Sequence, residues 1–261
     1  MSSLHRRAAV LAVSALVAVG CGSDNTSSSE FDLVTADTLT VCTDVPYAPF
    51  EFEDASAPTG YSGFDIELME GVASALELDI AVVATGFEGL ESGTTFAAGT
   101  CDIAASAMTI TEERAQRLAF TDPYYVAMQS LLVPGDSDLS SIDDLTADMS
   151  VGVQSGTTGE AYAEAEIAEA TIVAFENPGD LFVALESGQL DAILQDLPVN
   201  ERFAQDNDAT VVAEYDTDEE YGFAMAPDRS DGLVDAVNAA LEDIRESGRY
   251  DELHEEYFLA G

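Results

Sequence analysis

From residue 39 onward, short apolar runs of strand character alternate with longer stretches of helical period. That alternation confines the chain to α/β architecture, in which strands and helices pack in layers. Residues 39–43 read as a strand, and 64–76 as a helix with Leu68, Met69, Val72 and Leu76 on one face. Residues 80–85 and 102–109 read as the second and third strands. Further on, 150–154 is a strand, 158–168 and 181–186 are helices, and 191–195 is another strand. Toward the C-terminus, Leu233, Val237, Ala240, Leu241 and Ile244 line a helix, Gly248 caps it, and 250–258 forms a second helix.

A short step repeats within this pattern. Gly99-Thr100-Cys101-Asp102-Ile103 and Gly188-Gln189-Leu190-Asp191-Ala192 each place a glycine at a helix end and an acid at the mouth of a buried strand. The echo is consistent with two α/β lobes of similar construction.

Charge narrows the function. Asp and Glu number 51 against eight basic residues, all arginine, for a formal net charge of −43. Such self-repulsion opposes compaction at low ionic strength. At molar salt the Debye length is about 3 Å and the penalty largely disappears. An apolar content of 47% is that of a folded protein, so the composition describes an acidic surface suited to a salty medium. Nucleic acid and anionic lipid headgroups are excluded as partners of that surface, because binding phosphate needs Lys and Arg. No spaced Asp/Asn calcium loop is present, and the only histidines are His5 and His254. No metal site, histidine-based triad or cofactor site is expected.

Between Arg7 and Arg202 the positive side chains are Arg114 and Arg117. Thr111 reads as a helix N-cap with Arg114 in the first turn, where the helix dipole disfavours a cation. A cation kept there points to a bound anion in front of it. The alternative is a surface ion pair, the role expected of Arg117.

The N-terminus reads as an export signal. His5-Arg6-Arg7 is basic, residues 8–19 are apolar but short for a membrane span, and Ala18-Val19-Gly20-Cys21 is a small-residue cleavage site. Cys21 resembles the lipidated cysteine of bacterial lipoproteins, with Ala18 where leucine is usual. Residues 22–37 read as a flexible tether. Cys42 and Cys101 lie in a compartment that permits disulfides; they either bridge or are two small buried apolar residues.

Four segments set polar or aromatic residues where strands end, the edge that borders the ligand crevice in open α/β sheets. Asp44 and Tyr47 lie in a loop held extended by Pro46 and Pro49. Gly86-Phe87-Glu88 follows the second strand. Ser106-Ala107-Met108-Thr109, with Arg114, follows the third. Ser155-Gly156-Thr157-Thr158-Gly159 opens a helix, and Asp196 ends its own strand.

The runs TDVPYAPFEFED, GYSGFDIELMEGVASAL, CDIAASAMTITEERAQRLAFTDPYY, VGVQSGTTGE and DAILQDLP resemble the extracytoplasmic solute-binding proteins, family 3, of polar amino-acid ABC transporters. The resemblance covers residues 38–258. It implies the two-lobed type II periplasmic-binding fold with two hinge crossings, near residues 125–130 and 214–221. Lobe one would comprise 38–126 plus 221–261 and lobe two 127–220. Arg114 would clamp the ligand α-carboxylate, in a cradle completed by Thr109 and by the backbone and hydroxyl of Thr158. Asp196 would accept the α-ammonium, helped by the Ala107 carbonyl and the Thr109 hydroxyl. Tyr47 and Phe87 would stack on the ligand side chain and Asp44 would face its distal end, with Ser106 a further member of the shell. Ala107 stands where some relatives have serine.

With so little positive charge available, a cationic amino acid ranks first, then glutamine or another polar one. The expected partners are a free L-amino acid, an ABC permease, and the outer face of the cytoplasmic membrane through a lipid on Cys21. The protein itself would be a monomer that binds without chemistry. The rival is a cyclohexadienyl-dehydratase-like enzyme on the same fold, with Glu51, Glu88 or Asp44 as its acid or base.

Overall fold

The computed structural model describes residues 31–259. The export signal, Cys21 and the first part of the tether lie outside the described residues. In chain order the strands are β1 (Thr38–Thr43), β2 (Phe52–Glu53), β3 (Tyr61–Ser62), β4 (Asp79–Ala84), β5 (Ile103–Ala104), β6 (Ala119–Phe120) and β7 (Tyr125–Pro134). They continue with β8 (Ser150–Gln154), β9 (Thr171–Phe175), β10 (Ala192–Asp196), β11 (Ala209–Tyr221) and β12 (Ala224–Met225). The helices are α1 (Phe64–Ala75), α2 (Phe87–Glu91), α3 (Thr94–Ala97), α4 (Thr158–Glu166), α5 (Pro178–Glu186), α6 (Leu197–Asp206), α7 (Leu233–Glu246) and α8 (Arg249–His254). None of these helices is long and apolar enough to cross a membrane.

Two five-stranded sheets carry the fold, in the orders β4-β1-β5-β12-β6 and β11-β7-β10-β8-β9. Their construction is alike. In the first, β1 runs parallel to β4 and β5, and β12 is antiparallel to β5. In the second, β8 runs parallel to β9 and β10, and β7 is antiparallel to β10. The repeated glycine–acid step has the same geometry in both. Gly99 and Gly188 adopt φ of 67° and 71°, a conformation that suits a residue without Cβ. Asp102 then exchanges bonds with Thr40: its carboxylate accepts from the Thr40 N–H at 2.9 Å, and its own N–H donates back at 2.8 Å. Asp191 does the same with Ser150, at 2.8 and 2.9 Å.

Each sheet has its own core. Leu39, Val41, Phe64, Leu68 and Val72 pack with Val237 and Leu241 of α7 beside the first sheet. Val151, Val153, Leu194 and Ala163 pack on one side of the second, and Leu181, Leu185 and Ile193 on the other. Burying each large apolar side chain contributes about 1.5–3 kcal/mol. The helical face predicted at the C-terminus is the one α7 buries. Cys42 and Cys101 are bridged, with Cα atoms 5.8 Å apart, which settles the alternative the sequence left open.

Two strands pass between the sheets. β7 and β11 pair antiparallel along most of their length, from Tyr221↔Tyr125 to Ala209↔Pro134, with a register shift between Tyr215 and Glu219. Within that shift Asp218 has a φ of 53°.

Three local expectations need correction. The third strand is two residues long rather than running to Thr109, because Ala107 turns the chain at a φ of 44°. That left-handed residue is held by buried Asp65, which accepts the Ala107 N–H at 2.9 Å and the Tyr124 hydroxyl at 2.7 Å. The loop at Pro46 and Pro49 is not extended. Both prolines follow cis peptides, and the chain folds back so that the Tyr47 N–H donates to the Glu51 carbonyl at 2.7 Å. Arg114 opens only a three-residue 3-10 turn, so the helix dipole adds little to the charge there. Thr111 still accepts the Arg114 N–H, at 3.1 Å.

Candidate functional site

A cleft holding about 410 Å³ of unfilled space, part of it continuous with solvent, lies where the strand ends of the two sheets face each other. Asp44, Tyr47, Phe87, Ser106, Ala107, Thr109, Arg114, Thr158 and Asp196 all line it. The topology explains the convergence. Asp44 leaves the end of β1, and Ser106 to Thr109 follow β5. Thr158 opens α4 just beyond β8, and Asp196 is the last residue of β10.

Arg114 is 4% exposed. Its guanidinium donates to the Thr109 carbonyl at 2.8 Å and, across the cleft, to the Gly156 carbonyl at 3.0 Å. It also lies over the Phe87 ring, 5.2 Å from the centroid. Among the described residues Arg117, Arg202, Arg229 and Arg249 are each paired with a carboxylate, whereas Arg114 is not. Burial therefore pulls its pKa below the usual value. A buried cation with neutral partners leaves room for an anion, and its remaining N–H groups suit a carboxylate. Arg117 takes the ordinary role, binding Glu91 at 2.6 Å and Glu113 at 3.1 Å.

Asp196 occupies the N-cap position of α6 but makes no side-chain cap bond. Its carboxylate instead accepts from the Tyr47 hydroxyl at 2.7 Å and from Gln129 Nε2 at 2.6 Å. Burial, then the nearby Glu219 charge, raises its pKa to about 6. Asp44 accepts from Gln154 Nε2 at 2.6 Å, and burial raises its pKa to about 6 as well. Its N–H donates to Ser106 Oγ at 3.0 Å, and the Ser106 hydroxyl donates to Glu51 at 2.7 Å. Glu51 is fully buried, and that burial, reinforced by Asp65, holds its carboxyl well above the usual range.

The cleft has further members that sequence reasoning passed over, Gln129, Gln154 and Gln195, and two, Thr157 and Gly159, from the segment 155–159 that it placed at the crevice without giving them a role. Gln129, with Ser130 beside it, interrupts the mainly apolar run Tyr125–Pro134, and that break in the pattern was a usable signal. Gln154 and Gln195 end or nearly end buried strands, where polar residues at the sheet edge again mark the crevice. Behind the cleft, buried Glu219 accepts from Thr109 Oγ1 and Thr158 Oγ1, each at 2.6 Å. Its acidic neighbours in residues 216–220 gave it no contrast in sequence. Of the three acids considered for catalysis, Asp44 lines the cleft, while Glu51 and Glu88 do not.

Residues 39–260 match the bacterial extracellular solute-binding proteins, family 3. A protein of Neisseria gonorrhoeae described as a "probable histidine-binding protein" is 33% identical, over 96% of this chain and 94% of its own. An ancestral arginine-binding protein solved with glutamine bound superposes with a TM-score of 0.79 at 32% identity, covering 86% of this chain and 99% of that one. An ancestral amino acid-binding protein described as a precursor of cyclohexadienyl dehydratase gives a TM-score of 0.76 at 37% identity, over 85% and 95% of the two chains. The two sheets and their helices match the type II periplasmic-binding architecture of these structures.

Proposed function

The chain belongs to the bacterial extracellular solute-binding proteins, family 3, and from that premise we propose that it is the substrate-binding component of an ABC importer for a polar amino acid, cationic before neutral. The observation that carries this is the buried guanidinium of Arg114, which lacks a carboxylate partner among the described residues. A ligand α-carboxylate would occupy its free N–H groups, with the backbone at Thr109 and Thr158 beside it. The α-ammonium would sit on Asp196, and Asp44 would meet a cationic or polar side-chain end while Tyr47 and Phe87 flank it. Buried acids and a strongly acidic surface favour a ligand of net positive charge over an acidic one. Names given to relatives, for histidine, for arginine and for glutamine, span the cationic and neutral polar range of that reading.

The lobes would be residues 38–126 plus 221–261 and residues 127–220, closing over the ligand by flexing the β7–β11 pair. The closed monomer would then dock on a permease of the cytoplasmic membrane, tethered outside it by a lipid on Cys21. The mass of the mature N-terminal peptide tests the lipid. Calorimetric titration against a panel of amino acids tests the ligand class. Micromolar or tighter binding of arginine, lysine, ornithine, histidine or glutamine is expected; tightest binding of glutamate or aspartate, or binding of none, overturns the reading. The enzymatic alternative rests on Asp44, a cleft carboxyl held near pH 6. Release of carbon dioxide and water from a prephenate-like compound would favour it, and none is expected.

A further inference from the structure

Glu219 is 5% exposed and collects four donors from across the molecule. Thr109, beyond the first sheet, and Thr158, at the start of α4, each donate a hydroxyl proton to its Oε2 at 2.6 Å. Its Oε1 accepts from Thr217 at 2.8 Å and from Gln129 Nε2 at 3.0 Å. The second Nε2 hydrogen of Gln129 goes to Asp196, so one amide ties the two carboxylates together. A carboxylate only accepts, and a threonine hydroxyl has a single proton. The two hydroxyl oxygens also lie 3.3 Å apart, a longer contact than the 2.6 Å that each makes with Glu219; with both protons on the carboxylate, they can offer the cleft only lone pairs.

That commitment changes which ligand group the hydroxyls can serve. They cannot donate to an α-carboxylate, which is left to Arg114 and backbone N–H groups. They can accept from an ammonium, whose three N–H bonds need three acceptors. We propose that Glu219 is a positioning residue: by holding the protons of Thr109 and Thr158 it makes both oxygens acceptors, so that the cleft selects an α-ammonium over an uncharged α-substituent. This rests on the cleft being an amino-acid site. With Asp196 and the Ala107 carbonyl the two oxygens would give four acceptors, enough for all three N–H bonds of the ammonium, and the Glu219 charge lies behind the same point.

The test compares L-arginine, or L-glutamine if the panel favours it, with the matching α-hydroxy acid by calorimetry. The intact protein and the Glu219→Gln variant are titrated with both ligands. A glutamine keeps the shape but presents an N–H to one of the threonines, freeing a hydroxyl proton toward the cleft. The preference for amino acid over hydroxy acid should shrink by about tenfold or more, mostly through weaker binding of the amino acid. Equal loss of both ligands, the mark of a merely structural role, or an unchanged preference would overturn the proposal. Should Glu219→Gln not fold, Glu219→Asp decides the matter: it keeps the charge but withdraws the carboxylate from the two hydroxyls, and should shrink the same preference, whereas an unchanged preference would overturn the proposal. Failure of the intact protein to bind any amino acid would defeat the parent reading instead, and is seen separately.

Discussion

The Tyr47 hydroxyl donates to Asp196 Oδ2 at 2.7 Å, joining residues 149 apart in sequence and on opposite sides of the cleft. The bond does two things. It ties the strand ends of the two sheets together, and with Gln129 it opposes the rise in Asp196 pKa that burial causes.

Tyr47→Phe should therefore weaken binding of the best amino acid about tenfold, the usual effect of losing a hydrogen bond to a charged group. It should also move the acid limb of the binding profile to higher pH, since Asp196 loses a donor that favours its ionised form. Titrations between pH 5 and pH 8 measure both. An unshifted acid limb would show that Asp196 does not govern it.

Arg114→Ala should abolish detectable binding of every amino acid in the panel while leaving the ligand-free protein folded. The guanidinium's hydrogen bonds go to two carbonyls and no carboxylate is in direct ion-pair contact with it, so its removal strands no single partner, although Glu91, Glu219 and Asp196 lose a nearby positive charge. Circular dichroism checks the fold and calorimetry the binding. Retained affinity within a factor of about ten would remove Arg114 from the site.

The pH dependence has a definite sign. Burial raises Asp44 and Asp196 to about 6 and Asp65 to about 7, from an ordinary value of 3.8. Acids raised in the folded state bind protons more tightly there than when unfolded. Their contribution to stability is fully present below about pH 4 and is lost as pH rises through 6 to 7. The ligand-free protein should melt at higher temperature at pH 5 than at pH 8. Ligand binding should show the reverse trend, because a cation needs Asp44 and Asp196 ionised. A melting series with and without L-arginine reads both slopes.

Removing the Cys42–Cys101 bridge should cost about 4 kcal/mol, from the entropy of a loop spanning 59 residues. Replacing both cysteines with serine should lower the melting temperature by about 10 °C. Ligand specificity should stay the same, since neither cysteine lines the cleft.

Much of the fold was legible because strand and helix periods are strong signals. The predicted strand at 150–154 coincides with β8, and the predicted helix at 64–76 overruns α1 by one residue. The overlong third strand was not legible, because its end depends on Asp65, 42 residues away, holding Ala107 in a left-handed turn. The lining residues could be anticipated from their places at strand ends and from family resemblance together. Gln129 left a local signal, a polar break in β7, whereas Glu219 left none. Their roles come from bonds made across the molecule, and no local pattern records that Glu219 gathers hydroxyls from Thr109 and Thr158.

The paired exchanges of Asp102 with Thr40 and of Asp191 with Ser150 sit at the ends of the sheets away from the cleft. They act as zero marks on a ruler. With one end of β1 and β5 indexed, Asp44 and Ser106 emerge at the other end in step; with β8 and β10 indexed, so do Gln154 and Asp196. A slip of one residue would displace a strand by about 3.3 Å and turn its side chains to the opposite face. The alignment of ligand-facing atoms is thus decided a strand's length away, by two acids that never meet the ligand. Substituting Asp191, whose exposed carboxylate serves Ser150, should blur specificity before it melts the protein, as a misaligned scale reads wrongly while remaining intact; buried Asp102 also meets Arg229 and Val34, and its loss should cost stability as well.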